Sequence, residues 1–166
     1  MLRAARRSAS LRGMPTLLIV HHTPSPAVHA LFEAVLAGAT NDALEGIEVV
    51  TSAALTAGPA EVLAADGYVL GAPANIGYMA GALKHFFDQI YYPCLVETRR
   101  RPYAAYVHGN EDTAGALRAI EAIAGALEWR KAYETLTVLG QPAQADLDAC
   151  WELGATAAAH LLEDGA

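Results

Sequence analysis

A chain of 166 residues, 54 % hydrophobic and 17 % charged, is long enough for one domain with a real core and too apolar to stay disordered. The formal charge is −7; the first thirteen residues hold four arginines and no acid, so the rest carries seven basic and eighteen acidic side chains, a charge of −11. That balance argues against nucleic acid and anionic membrane as partners, and no apolar stretch approaches the roughly 20 residues of a transmembrane helix.

Met1 to Gly13 is basic and has no apolar segment of its own, so it fails as a secretory signal. It reads as a disordered leader, residues 1–13, ahead of one domain, residues 14–166; its Arg- and Ser-rich, acid-free composition is also that of a short transit peptide. Thr16 to Val20 is a continuous apolar run, as a central strand requires. The loop His21 to Pro26 follows, then a helix with Val28, Leu31, Phe32, Val35 and Leu36 on one face, Ser25 as its N-cap and Pro26 at its first position. Glu45 to Ser52 gives a second strand and Pro59 to Ala65 a short helix. Tyr68, Val69 and Leu70 form a third, buried strand that Gly71 ends. Pro73 and Gly77 predict a turning loop longer than a bare connection needs. From Gly81 the spacing of Leu83, Phe86, Phe87 and Ile90 is helical, with Lys84 and Asp88 able to pair on the polar face.

Arg99 to Pro102 is a basic turn, and Pro102 to His108 a fourth strand ending in Gly109-Asn110. Glu111 to Glu128 reads as a helix with Leu117, Ile120, Ile123, Ala124 and Leu127 inward. Tyr133 to Leu139 is a fifth strand and Ala145 to Glu163 a terminal helix. Strands alternating with helices predict a doubly wound α/β domain with a parallel sheet between two helical layers. A dinucleotide fold needs G-x-G-x-x-G after its first strand, but no glycine lies between Met14 and Gly38. No G-K-[ST] occurs, which excludes a P-loop, and the strand ends lack the carboxylates of a phospho-receiver domain. The remaining common choice is a five-stranded parallel sheet in the order 2-1-3-4-5, with its ligand at the switch point between strands one and three.

Three segments then carry a resemblance: HHTPSPAV (His21 to Val28), GAPANIGYMAGALKHFFDQ (Gly71 to Gln89) and VHGNEDTAGALRAI (Val107 to Ile120). The chain resembles the flavodoxin-like FMN proteins, nearer the NAD(P)H-dependent FMN and quinone reductases than the short carrier flavodoxins. Pro73, Gly77, Gly81, Lys84 and Asp88 match that branch's pattern of a Pro, an aromatic pair, a Gly and then small-x-x-Lys-x-x-x-Asp. Two features depart from it. The aromatic pair falls at Asn75 and Ile76, with Tyr78 as a substitute ring, and the first loop contains Pro24 and Pro26, which lack N–H donors.

The resemblance implies a three-layer flavodoxin-like sandwich binding FMN. His22, Thr23, Ser25, Ala27 and Val28 would hold the phosphate at a helix start, without a cation; Thr23 and Ser25 can equally serve as simple helix caps. Pro73, Ala74, Asn75, Ile76, Gly77 and Tyr78 would border the isoalloxazine, and His108, Gly109, Asn110 and Asp112 its far wall; Asp112 or Thr113 can instead cap the next helix. No side chain is expected to act as a covalent catalyst, and NADPH or NADH would be the co-substrate with a quinone, flavin or other small molecule as electron acceptor. The alternatives are a one-electron carrier and a flavodoxin-like interaction module without flavin.

Cys94 and Cys150 have no metal or redox spacing, so two reduced thiols and a cytoplasmic protein are expected. His29, His85 and His160 fall on helices, and the tandem His21 and His22 should face opposite ways, one to the sheet and one to the site; no metal centre is predicted. Phe86, Phe87, Tyr91 and Tyr92 crowd one helix end, and the surplus predicts a homodimer interface.

Overall fold

The computed structural model of the protein describes residues 13–165, so the expected leader lies outside the described residues apart from Gly13. The elements run β1 (Thr16–His21), α1 (Pro26–Ala39), β2 (Glu48–Ala53), α2 (Pro59–Ala64), β3 (Gly67–Asn75), β4 (Tyr78–Met79), α3 (Gly81–Cys94), β5 (Pro102–Gly109), α4 (Ala114–Ala126), β6 (Arg130–Lys131), β7 (Leu136–Leu139) and α5 (Gln144–Gly165). Among the described residues the sheet runs β2-β1-β3-β5-β6, with β7 also on β5 and β4 on β3. Since β6 and β7 share the last position, the predicted order 2-1-3-4-5 holds.

Among the described residues the sheet has seven strands instead of the expected five, for two reasons. Where one fifth strand was expected over Tyr133 to Leu139, there are two short ones: Arg130 and Lys131, ahead of the predicted span, pair with Pro102 and Tyr103, and pairing resumes only at Tyr106 with Leu136. Two residues of β5 thus face four of its neighbour, and the surplus bulges out of the ladder. The second reason is β3, which does not stop at Gly71. It continues through Pro73 to Asn75, and the predicted loop is an antiparallel hairpin with Ala74 opposite Met79 and Asn75 opposite Tyr78. Pro73 is tolerated because backbone groups alternate in direction along a strand. The Gly71 carbonyl accepts from His22 N, so Pro73 turns its missing N–H toward the same edge, beyond the end of β1.

Two apolar layers flank the sheet. One holds Leu83, Phe86, Phe87 and Ile90 of α3 with Val62 of α2 and Ile120 of α4. The other holds Leu31, Phe32 and Val35 of α1 with Leu153 and Leu161 of α5. Phe86 and Phe87 are therefore core residues, and the exposed apolar side chains near that helix end are Tyr92 and Val96. Cys94 and Cys150 are buried free thiols in opposite layers, with the sheet between them.

Helices α1 and α5 meet through glycine. A β-carbon on Gly38 would strike the Trp151 backbone, and one on Gly154 the Val35 carbonyl, so both helices approach backbone to backbone. From the predicted basic turn, the Arg101 guanidinium donates to the carbonyls of Val62 and Leu63, both at 2.9 Å, and caps the end of α2.

Candidate functional site

The carboxyl ends of β1, β3, β5 and β7 open into one cleft of about 360 Å³. The first loop contributes Pro24, Ser25, Pro26 and Ala27, and β3 contributes Pro73, Ala74 and Asn75. The end of β5 contributes His108, Gly109 and Asn110, and Gln141 closes the rim. The three loops singled out in the sequence therefore converge on one space.

Seven of the expected site residues do not line it. His22 donates its N–H to the Gly71 carbonyl at 2.9 Å and so continues the ladder. Thr23 Oγ1 shares a 2.8 Å hydrogen bond with His21 Nδ1. Val28 is buried under α1, its N–H given to Ser25 Oγ at 3.4 Å. Asp112 Oδ1 accepts from Ala114 N at 2.8 Å, so its carboxylate serves the start of α4. Ile76, Gly77 and Tyr78 form the β3–β4 turn beside the cleft, not its wall.

That turn is unusual. Ile76 and Gly77 both have positive φ, 51° and 69°, as a type I′ hairpin demands. Glycine adopts this freely, but a β-branched side chain does so under strain. Ile76 is also fully exposed, so no packing repays it locally. The turn is held from behind by α4, where Gly115 leaves room for the Gly77 carbonyl.

Ser25 is the N-cap of α1 in extended conformation and Pro26 its first helical residue, as the sequence predicted. His21 stacks on Phe32 with ring centroids 4.1 Å apart, so His21 faces the sheet layer. Burial chiefly, then His22 and His29, lower its pKa from 6.5. His108 is buried, and its Nε2 lies 2.7 Å from the Gly140 carbonyl. A carbonyl only accepts, so the proton sits on Nε2 and the imidazole ties the end of β5 to the loop after β7. This tie explains how Gln141, which the sequence reading missed, reaches the rim. Its signal was Gly140-Gln141-Pro142 directly after the fifth strand, with Gly140 at φ 70°.

Two residues below the floor, Tyr106 lies flat across Gly71, where a β-carbon would collide with the phenol ring. Its hydroxyl is buried and has no hydrogen-bond partner among the described residues. Burial pushes its pKa far above the ordinary phenol value, so it stays protonated.

The cleft is lined by prolines, alanines, amides and backbone, and among the described residues it has no lysine, arginine or carboxylate. No group of His, Cys, Asp and Glu among them could hold a metal ion, and no helix among them is long and apolar enough to cross a membrane. The arrangement can bind and orient a ligand; Ser25 and His108, the hydroxyl and the imidazole that line it, bond to Val28 N and the Gly140 carbonyl and not to each other.

Comparison with solved structures agrees with this architecture. A flavodoxin from the domain Archaea superposes with a TM-score of 0.76 at 18 % identity, covering 89 % of this chain and 99 % of that one. A flavodoxin from Streptococcus pneumoniae gives 0.71 at 14 %, covering 87 % and 98 %. The fold is flavodoxin-like. A metal-soaked flavodiiron core from Synechocystis also matches, with a TM-score of 0.76 at 16 % identity; the chain aligns over 91 % of its own length and spans 37 % of that protein. No protein-family model and no curated protein matches the chain.

Proposed function

We propose that the cleft binds FMN and that the protein is a flavin-dependent oxidoreductase using NAD(P)H to reduce a quinone, flavin or similar small acceptor. One observation carries this reading: the cleft lies at the carboxyl ends of β1 and β3, the switch point of a flavodoxin-like sheet, where a helix start faces the opening. The residues present fit the ring and side chain of the group and offer a few donors to its phosphate. Ser25 and Ala27 offer N–H groups at the start of α1 to a phosphate, Pro73 to Asn75 border a planar ring, and His108 to Asn110 form the opposite wall. When bound, FMN would supply the hydride chemistry; the chain would bind it, orient it and leave one face open to a small reactant. Apart from the buried imidazole of His108, no aromatic ring lines the cleft among the described residues, which supports an open face and a small-molecule partner.

A one-electron carrier is the second reading. Two observations favour it: the chain matches the flavodoxins over nearly their whole length, and it is acidic, as suits steering toward a basic redox protein.

Titration of the apo protein with FMN, followed by flavin fluorescence, tests the common premise. Quenching at micromolar protein is expected, and its absence would sink both readings. Rapid bleaching of the bound flavin by NADPH or NADH, followed by reoxidation by a quinone, selects the reductase. Bleaching only through a separate reductase selects the carrier.

A further inference from the structure

The anion-binding side of the cleft is short of donors. A helix start ordinarily offers several free N–H groups. Here Pro26 has none at the first position and Val28 gives its N–H to Ser25 Oγ at 3.4 Å. In the loop ahead of the helix, Pro24 has no N–H and His22 donates to Gly71. Thr23, with its hydroxyl on His21, does not reach the cleft wall. Ser25 and Ala27 are left as the lining N–H groups without an acceptor among the described residues, together with the Ser25 hydroxyl proton.

Charge does not fill the gap. Among the described residues no cation lines the cleft, the chain carries −7, and Glu111 and Asp112 stand exposed just beyond Asn110. A phosphate monoester is a dianion, and its desolvation must be offset by charge-assisted hydrogen bonds. Two N–H groups and one hydroxyl offset little of it. The remaining walls are prolines, alanines, amides and backbone, which suit an uncharged ring and a polyol chain equally in FMN and riboflavin.

We infer that this cleft grips a flavin by its ring and ribityl chain, with little contribution from phosphate. The protein thus accepts riboflavin almost as readily as FMN and exchanges flavin as a dissociable ligand. This rests on the flavin reading above and goes beyond it by assigning the ligand class and its mode of retention.

The test is calorimetric titration of the full chain with FMN and with riboflavin at one ionic strength. The proposal expects micromolar binding of both, riboflavin weaker by no more than about tenfold, equivalent to 1.4 kcal/mol, and removal of either by gel filtration. A preference for FMN greater than that overturns it while leaving the flavin reading intact. Binding of neither removes the flavin reading itself, so the two failures are distinct. The double variant Pro24→Ala/Pro26→Ala returns two N–H groups to the loop. It should tighten FMN by about tenfold and move riboflavin by much less. No gain for FMN, or an equal gain for both, overturns the assignment to the missing donors. Should that variant fail to fold, the ratio of the two flavins on the parent chain decides alone.

Discussion

The carbonyl of Gly77 occupies the space in which Gly115 would carry a β-carbon. One wall of the cleft is therefore held by backbone contact from α4, since Gly77 turns the hairpin whose first strand supplies Pro73 to Asn75. Gly115→Ala should push the hairpin away. The expected loss is about 1–3 kcal/mol of stability, measured by urea unfolding, together with weaker flavin binding. A variant as stable as the parent would mean the hairpin shifts freely.

Ile76 predicts the opposite sign. It holds φ 51° with its side chain in solvent, so replacement removes strain and no packing. Asn tolerates the left-handed region. Ile76→Asn should raise stability by about 1 kcal/mol, visible as a higher urea midpoint with unchanged slope.

The orphaned phenol of Tyr106 gives a third expectation. Tyr106→Phe keeps the ring across Gly71 and deletes a buried hydroxyl without a partner. A buried unsatisfied group costs about 1–3 kcal/mol, so the variant should equal or exceed the parent in stability. A less stable variant would reveal that the hydroxyl is bonded in solution, for instance to an internal water.

Ser25→Asp separates capping from ligand binding. Asp caps as well as Ser and suits the helix dipole, so stability without ligand should hold. With FMN, the carboxylate would face a phosphate in the same cleft. Unit charges about 4 Å apart repel by roughly 4 kcal/mol at an effective dielectric of about 20, ample for a tenfold loss. Riboflavin has no phosphate and should bind as before. Equal FMN affinity in parent and variant would show that the phosphate lies elsewhere.

His21 supplies a pH dependence. Burial first, then His22 and His29, lower its folded pKa below 6.5, so the unfolded chain binds more protons at this residue. The resulting stability is fully present above pH 6.5 and is lost as the pH falls through the lowered folded value. Between about pH 8 and about pH 5 the urea midpoint should fall more in the parent than in His21→Asn. An equal fall in both would assign the acid sensitivity to other groups.

Much of this was legible in the sequence because local signals agreed with the fold. Ser25-Pro26 marked a helix start, the apolar run Thr16 to Val20 marked β1, and the spacing of Leu83, Phe86, Phe87 and Ile90 marked α3. The misreadings share one cause: a local breaker overruled by its neighbours. Gly71 and Pro73 look like the end of a strand, yet one lies beneath Tyr106 and the other turns its missing donor to an edge where β1 has ended. The fifth strand looks continuous, because the sequence cannot reveal that β5 resumes pairing two residues out of step. His108 to Asn110 could be placed in the cleft by strand position alone. Gln141 was marked only by the Gly-Gln-Pro turn after the fifth strand, and its place at the rim depends on the hydrogen bond from His108 to that loop.

The glycine crossing of α1 and α5 also bears on the order in which the chain can mature. The buried residues on the α2, α3 and α4 side run from Leu18 to Trp129, whereas the opposite layer extends to Leu161. A nascent polypeptide that has emerged only through Trp129 can close one half of its interior. Leu31, Phe32 and Val35, made among the first, must wait for the helix made last among the described elements, and until then they are the surface a chaperone would meet.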